Sequence, residues 1–322
     1  MLTREAIAQQ LSHTLDKIDL PELGNRIEGK VRDCYVLGDR RVIVASDRLS
    51  AFDVVLTTIP FKGQMLTQLA SYWFSETKHI VPNHVLSQPH PNVLITREIE
   101  ILPIEVVVRG YLAGSAWRDY QAGKQISGIA LPKGLKKSQQ LETPIITPST
   151  KAERGVHDEP ISSEEIVRQR IVAQSLWEEV CDAALKLFQF GSEKAAQRGL
   201  ILVDTKYEFG VTKNEAGQTQ LILADEIHTQ DSSRFWMADS YLERFEKNED
   251  PVMLDKEFVR RWLIEQGYMG EGTPPPFTDS FRVDTAVRYM QAFEKITGQE
   301  FCAEVGSLGE SIKQALSHAL NK

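Results

Sequence analysis

Cysteine is scarce in this chain: Cys34, Cys181 and Cys302 are three in 322 residues, odd in number and far apart. That spacing argues against a disulfide framework and a CxxC metal site, and it fits a reducing compartment. Long apolar runs are missing as well. No stretch nears the ~18 consecutive apolar residues of a membrane helix, and MLTREAIAQQLSHTL is polar with helical spacing, unlike a secretory signal. The expected location is the cytoplasm. Nor is there an excess of positive charge, since 37 Lys and Arg stand against 45 Asp and Glu for a formal charge of -8. Nucleic acid is therefore a poor partner, because counterion release needs a basic face, and any phosphate must be held locally. The seven histidines are scattered without an HExxH, and GxSxG, GxGxxG and GxxxxGK[ST] patterns are absent. Internal repeats and low-complexity tracts are lacking too.

What is present is an ordinary globular composition, 42% hydrophobic and 25% charged, long enough for roughly two domains or one two-lobed unit. An amphipathic helix is expected over Thr3 to Ile18, followed by β structure from Arg26 to Pro60. CYVLGDRRVIVASD pairs two apolar runs around Gly38-Asp39, a hairpin signal. Leu66, Leu69, Ala70 and Trp73 recur at helical spacing, and VLITREIEILPIEVVVRG returns to β runs broken by Pro103. The Gly, Pro, Ser and Thr-rich stretch from Gly110 to Glu159 is too long for a passive connection. Ser162 and Glu165 make a capping box for one long helix carrying Ile166, Ile171, Trp177 and Leu187. GLILVDTKYEFGVTKNEAGQTQLILADEIH reads as an antiparallel hairpin turning at Asn214 to Gly217. Asp255 is the expected N-cap of a later helix that stops at Gly267, and two more helices follow the prolines at 274 to 276. The boundaries drawn are 1–108, a sheet-rich nucleotide lobe, 109–255, a central substrate and metal lobe, and 256–322, a helical segment.

Charge sits where buried strands end. Glu208 and Asp225 can meet across the paired runs, and two carboxylates with phosphate oxygens suit Mg²⁺; an exposed hairpin with solvated charges is the plainer alternative, but an unpaired carboxylate in a buried run is expensive. EGKVRDCYVL places Gly29, Lys30 and Arg32 before a strand, as a phosphate-binding turn or a solvated basic one. SDRLSAFDVV is a binding loop, or a turn in which Ser and Asp satisfy backbone groups. EVVVRGYLAGSAW ends a strand at Arg109 and continues to Ser115, a pairing suited to a phosphomonoester, unless Arg109 pairs with a core carboxylate. TPSTKAERGVHDE offers Lys151, Glu153, His157 and Asp158 on a loop, with no zinc companions for His157.

In order and spacing, GKVRDCY, SDRLSAFD, EVVVRGYLAGSAW, TPSTKAERGVHDE, GLILVDTKYEFG and DEIHTQDSSRFW resemble the SAICAR synthetase family, across about residues 26 to 236. The resemblance implies a two-lobed α+β fold, its sheet-rich N-terminal lobe similar to those of protein kinases and ATP-grasp enzymes, its central lobe mixed α/β, with C-terminal helices. It implies a carbon–nitrogen ligase of purine biosynthesis that joins L-aspartate to carboxyaminoimidazole ribonucleotide with ATP and Mg²⁺, as a monomer. By position, Gly29, Lys30 and Arg32 face the ATP phosphates, Glu208 and Asp225 hold Mg²⁺, and Arg109, Ser115 and Arg234 bind the ribonucleotide. Lys206, Asp231, Lys151 and Asp158 lie where the carboxylates and the incoming aspartate meet. Phe61 stands where the family usually has Gly, and Gln230 where Pro is common. Another carboxylate–amine ligase or a small-molecule kinase is the enzymatic alternative, and a silent nucleotide-binding protein would be expected to lack the metal carboxylates.

Overall fold

The computed structural model describes residues 2–151, 158–214, 216–254 and 256–321; Glu153, His157 and the expected cap Asp255 lie outside them. The fold is α+β, with antiparallel ladders throughout the described strands. The chain forms two compact units, Met1–Tyr72 with His84–Glu98 and Asp255–Lys322, and Trp73–Asn83 with Ile99–Leu254. The C-terminal helices thus group with the N-terminal sheet. The boundary drawn after residue 108 falls inside a strand, because Glu100–Tyr111 runs unbroken along its neighbour.

In the first unit the strands are β1 (Ile27–Glu28), β2 (Arg32–Leu37), β3 (Arg40–Ala45), β4 (Arg48–Ala51), β5 (Val54–Thr58), β6 (Val85–His90) and β7 (Val93–Arg97). They form a sheet of order β1-β2-β3-β7-β6 and a separate β4-β5 hairpin. The turn expected at Gly38-Asp39 is there, with Leu37 paired to Arg40 and Gly38 at φ +62°. Alternation sends Tyr35, Val42 and Val44 to one face, where Leu15 and Leu20 from the N-terminal segment and Ile312 from the helix Gly309–Leu320 close over them.

The N-terminal helix is shorter than its periodicity suggests, covering Arg4–Gln9 with a 3-10 turn to His13. Tertiary hydrogen bonds explain the early stop. Asp47 Oδ2 accepts the Leu15 amide at 2.7 Å, and the Tyr35 hydroxyl accepts that of Leu20 at 3.1 Å, which overrides a weak helix preference. Asp47 also accepts the Gly63 amide at 2.9 Å, and its burial pushes the carboxyl up to about 6. Ser46 Oγ donates to the Val31 carbonyl at 2.9 Å, so this polar loop braces backbone.

Phe61 adopts φ +63° and is fully buried, its ring edge-on to Phe301 at 6.3 Å. A left-handed aromatic costs about 1–2 kcal/mol, which explains why Gly suits this position, while emptying a ring from a core costs about 3–5 kcal/mol. Phe61→Gly should therefore destabilise the protein by roughly 2 kcal/mol, read as a lower urea midpoint. An unchanged or raised midpoint would show that the ring contributes nothing beyond its strain.

The second unit holds β8 (Glu100–Tyr111), β9 (Gln140–Ile146), β10 (Ser149–Thr150), β11 (Leu200–Lys213), β12 (Thr219–Ala224) and β13 (Ser233–Met237). Their order is β10-β8-β11-β12, with β9 also on β8 and β13 also on β11. Pro103 does not break β8. It sits where the β8-β11 register slips between Glu208 and Gly210, a bulge that tolerates a missing amide. The helix behind Ser162 is two helices, Ser163–Arg168 and Gln174–Ala196. Arg170 turns left-handed at φ +58°, and the Ile171 and Arg170 amides bond back to Ile166 and Val167, a Schellman stop built without glycine. The longer helix lies against β11.

Candidate active site

Residues two apart on a strand share a face, so β11 presents Asp204, Lys206 and Glu208 together and turns Tyr207 the other way. Lys206 Nζ donates to Glu105 Oε1 at 2.6 Å and to Glu208 Oε1 at 2.8 Å. Glu208 Oε2 takes the ammonium of Lys151. Burial pulls the Lys206 ammonium down, but the charges of Glu208, Asp225 and Glu105 more than offset it and hold it above the ordinary lysine range. Burial pushes the Glu105 carboxyl up against the pull of Lys206, and nearby Glu208 and Asp158 add to the rise. Glu208 pairs with Ala224 in the ladder, so Asp225 leaves β12 at the Glu208 end of the hairpin. Five expected residues, Lys151, Asp158, Lys206, Glu208 and Asp225, thus fall in one charged cluster.

A second cluster is centred on Asp204. In register it faces Arg109 on β8 and Arg234 on β13. Asp204 Oδ2 accepts from Arg109 Nη1 at 3.2 Å and from Arg234 Nη1 at 2.6 Å. Arg109 Nε donates to Thr147 Oγ1 at 2.8 Å and its Nη2 to Ser115 Oγ at 3.2 Å. Ser115 sits in the first turn of the helix Gly114–Gln121, where backbone amides lack helical partners. Gly114 is at φ +58°, and a Cβ there would come within 2.5 Å of Arg234 Nη2. The arrangement suits an anion with several oxygens. It also realises the plainer expectation for Arg109, a partner carboxylate in the core.

The loop between β12 and β13 starts at Asp225, carries Asp231 near its end and leads into Arg234 on β13, the Asp231 amide bonded to Thr229 Oγ1 at 3.3 Å. Its anchor is His228, fully buried, with Nε2 2.6 Å from the Tyr207 hydroxyl. Burial pushes His228 down to about 3, against 6.5 for a free imidazole. The folded imidazole stays neutral while the unfolded one takes a proton, so its contribution is complete above pH 6.5 and is lost as pH falls toward 3. By pH 5 the loss is about 2 kcal/mol. Asp47 acts in the opposite direction, its raised carboxyl favouring the fold as pH falls through 6. His228→Gln should therefore lose about 2 kcal/mol less than wild type between pH 7 and pH 5, compared by urea unfolding. Equal losses would mean the imidazole is charged in the fold.

In the other unit, the Gly29 amide bonds to the Arg32 carbonyl at 2.7 Å, and a Cβ on Gly29 would lie 2.8 Å from that oxygen. Buried Arg48 holds this turn from behind, donating to the carbonyls of Lys30 at 3.0 Å and Gly29 at 3.1 Å and to Asp33 Oδ1 at 2.9 Å. Lys30 itself is exposed and pairs with Asp53 at 2.5 Å. Two of the expected residues, Gly29 and Arg32, are thus fixed by their backbone while the Lys30 ammonium faces solvent.

A family model for SAICAR synthetase matches residues 25–275. The chain belongs to the SAICAR synthetase family. It is 44% identical over 315 residues to a phosphoribosylaminoimidazole-succinocarboxamide synthase of Legionella pneumophila (strain Lens), covering 95% of this chain and 98% of that one. Among solved structures, the SAICAR synthase of Saccharomyces cerevisiae complexed with SAICAR aligns at a TM-score of 0.79 and 33% identity, over 90% of this chain and all of that one. A type-2 SAICAR synthetase in complex with ADP aligns at a TM-score of 0.65 and 26% identity, over 87% of this chain and 100% of that one. The chain is therefore an enzyme of a ligase family of purine biosynthesis. Within a SAICAR synthetase, Asp204 and Glu105 are members of the clusters to which sequence reasoning gave no role. Glu105 had a signal, being the one acid inside the apolar run PIEVVV. Among the described residues no helix is long and apolar enough to cross a membrane.

Proposed function

We propose that the chain joins L-aspartate to the carboxylate of 5-amino-1-(5-phospho-D-ribosyl)imidazole-4-carboxylate, giving SAICAR, ADP and phosphate through an acyl phosphate. The observation that carries this reading is the pair of charge clusters along one face of β11, a guanidinium pair at Asp204 and a lysine–carboxylate group at Glu208. The relatives solved with SAICAR and with ADP support it.

A carboxylate is a poor electrophile, since an amine attacking it must expel oxide. Transfer of the γ-phosphoryl group to a carboxylate oxygen, with ADP leaving, supplies a better leaving group. The aspartate nitrogen then attacks the acyl carbon, a tetrahedral intermediate forms, and phosphate departs. Arg109, Ser115 and Arg234 are assigned to the ribonucleotide phosphate, and Lys206 and Lys151 to the anionic charge gathered around the reacting carboxylate, with Asp231 and Asp158 on the side of the incoming aspartate. Gly29, Lys30 and Arg32 are assigned to the ATP phosphates in the sheet-rich nucleotide unit. Among the described residues no three His, Cys, Asp or Glu side chains form a ready metal cage. Two carboxylates beside bound phosphate do fit Mg²⁺, which keeps water and phosphate oxygens in its shell. Glu208 and Asp225 would hold it, and when bound it neutralises charge on the transferring group. The aspartate ammonium must also lose a proton. Asp158, His157 and the substrate phosphate are the candidate bases, and pH–rate profiles of their variants separate them. We assign the activity to a cytoplasmic monomer.

The test is ADP release from purified protein with each substrate withheld in turn. Release that requires ATP, the ribonucleotide and aspartate together is the expected result. Release without aspartate would point to a small-molecule kinase, another amine acceptor to a different ligase, and none with the full set to a silent nucleotide binder.

A further inference from the structure

We infer that His228 is a positioning residue for the ligase reaction: through Tyr207 it fastens the loop that carries Asp225 and Asp231 and leads into Arg234 on β13 to the back of the strand carrying Lys206 and Glu208. The inference rests on the preceding reading of those five side chains.

The geometry is specific to an imidazole. Tyr207 lies between Lys206 and Glu208 on β11 and points to the opposite face, where its hydroxyl meets His228 Nε2 at 2.6 Å. The Trp73 ring stands edge-on at 4.7 Å. On the remaining side Gly191 leaves the space the ring fills, since a Cβ there would come within 2.2 Å of His228 Cε1. Asp225 and His228 both take left-handed φ, +60° and +50°. Each such residue costs about 1–2 kcal/mol, and strain of this kind persists where the surroundings over-determine it.

A plain core role predicts a different residue. His228 Nδ1 is buried with no hydrogen-bond partner among the described residues, and an unmet buried polar atom costs about 1–3 kcal/mol. Leu here, with Phe in place of Tyr207 so that no hydroxyl is orphaned, would avoid that cost. What Leu lacks is the directional bond to Tyr207, which ties one set of site residues to the other across the sheet. The imidazole therefore gives up stability for the orientation of the loop.

The test compares Tyr207→Phe, His228→Leu and His228→Gln in the full chain. Tyr207→Phe keeps the ring and removes the bond; it and His228→Leu should lower kcat about tenfold, with KM for ATP within about twofold and a thermal midpoint no lower than about 3 °C below wild type. His228→Gln, whose amide can still hydrogen-bond the hydroxyl, should recover most of the turnover. Unchanged kcat in the Phe and Leu variants overturns the inference, as does a Gln variant no better than Leu. Amide hydrogen exchange across residues 226–232 gives a readout independent of activity. Faster exchange in Tyr207→Phe than in wild type supports the role, and equal exchange overturns it, even if the wild-type protein fails the ADP-release test and the proposed reaction falls.

Discussion

Asp225→Asn is expected to lower steady-state turnover by about 10²–10³-fold while leaving the fold in place, since removing one preorganised electrostatic contact commonly costs that much. The backbone argument for an intact fold is direct. Asp225 sits at φ +60° just beyond β12, and Asn is among the residues that tolerate this conformation best, so the substitution removes charge without adding strain. The charge has two uses in the proposed reaction. It supplies one of the two carboxylates assigned to Mg²⁺, and it helps keep Lys206 protonated against burial. Raising the Mg²⁺ concentration should restore part of the loss if the first use dominates. Near-normal turnover in purified, folded Asp225→Asn would remove Asp225 from the machinery.

The hairpin that positions this site was legible because its signals are local. Two apolar runs and a turn at Asn214 to Gly217 specify β11 and β12, and the strand-end charges follow with them. The Ser162 cap was legible for the same reason, its oxygen accepting the Glu165 amide at 3.1 Å. The break after Arg168 was not, because the left-handed position is filled by Arg170 instead of the glycine that would announce it. The helix expected from Thr3 stops early because acceptors from Asp47 and Tyr35 capture its continuation, and no helical period records partners 32 and 15 residues away. The same limit hid Asp204. Arg109, Asp204 and Arg234 are neighbours through the order of three strands, a tertiary fact, so each arginine could be suspected of binding an anion while the carboxylate that aligns them could not.

That alignment makes Asp204→Ala the substitution with the largest expected effect on stability. The carboxylate is almost fully buried, and its Oδ2 bridges two guanidiniums, one of them, Arg109, also buried. Burial already pulls the Arg109 guanidinium below its ordinary range, with Asp204 opposing that pull. Removing one partner of such a group leaves uncompensated charge and costs about 3–5 kcal/mol, a large share of the 5–15 kcal/mol that holds a typical domain together. Asp204→Asn, which keeps an acceptor but not the charge, should cost less. If the guanidiniums serve a phosphate, an added anion can replace the missing carboxylate. Inorganic phosphate should then raise the thermal midpoint of Asp204→Asn by several degrees more than that of wild type, while Arg109→Ala, lacking half the pair, should show no such gain and a higher KM for the ribonucleotide. Equal phosphate responses in Asp204→Asn and wild type, with an unchanged KM in Arg109→Ala, would reduce this cluster to a core ion pair and leave the ribonucleotide phosphate without its proposed seat.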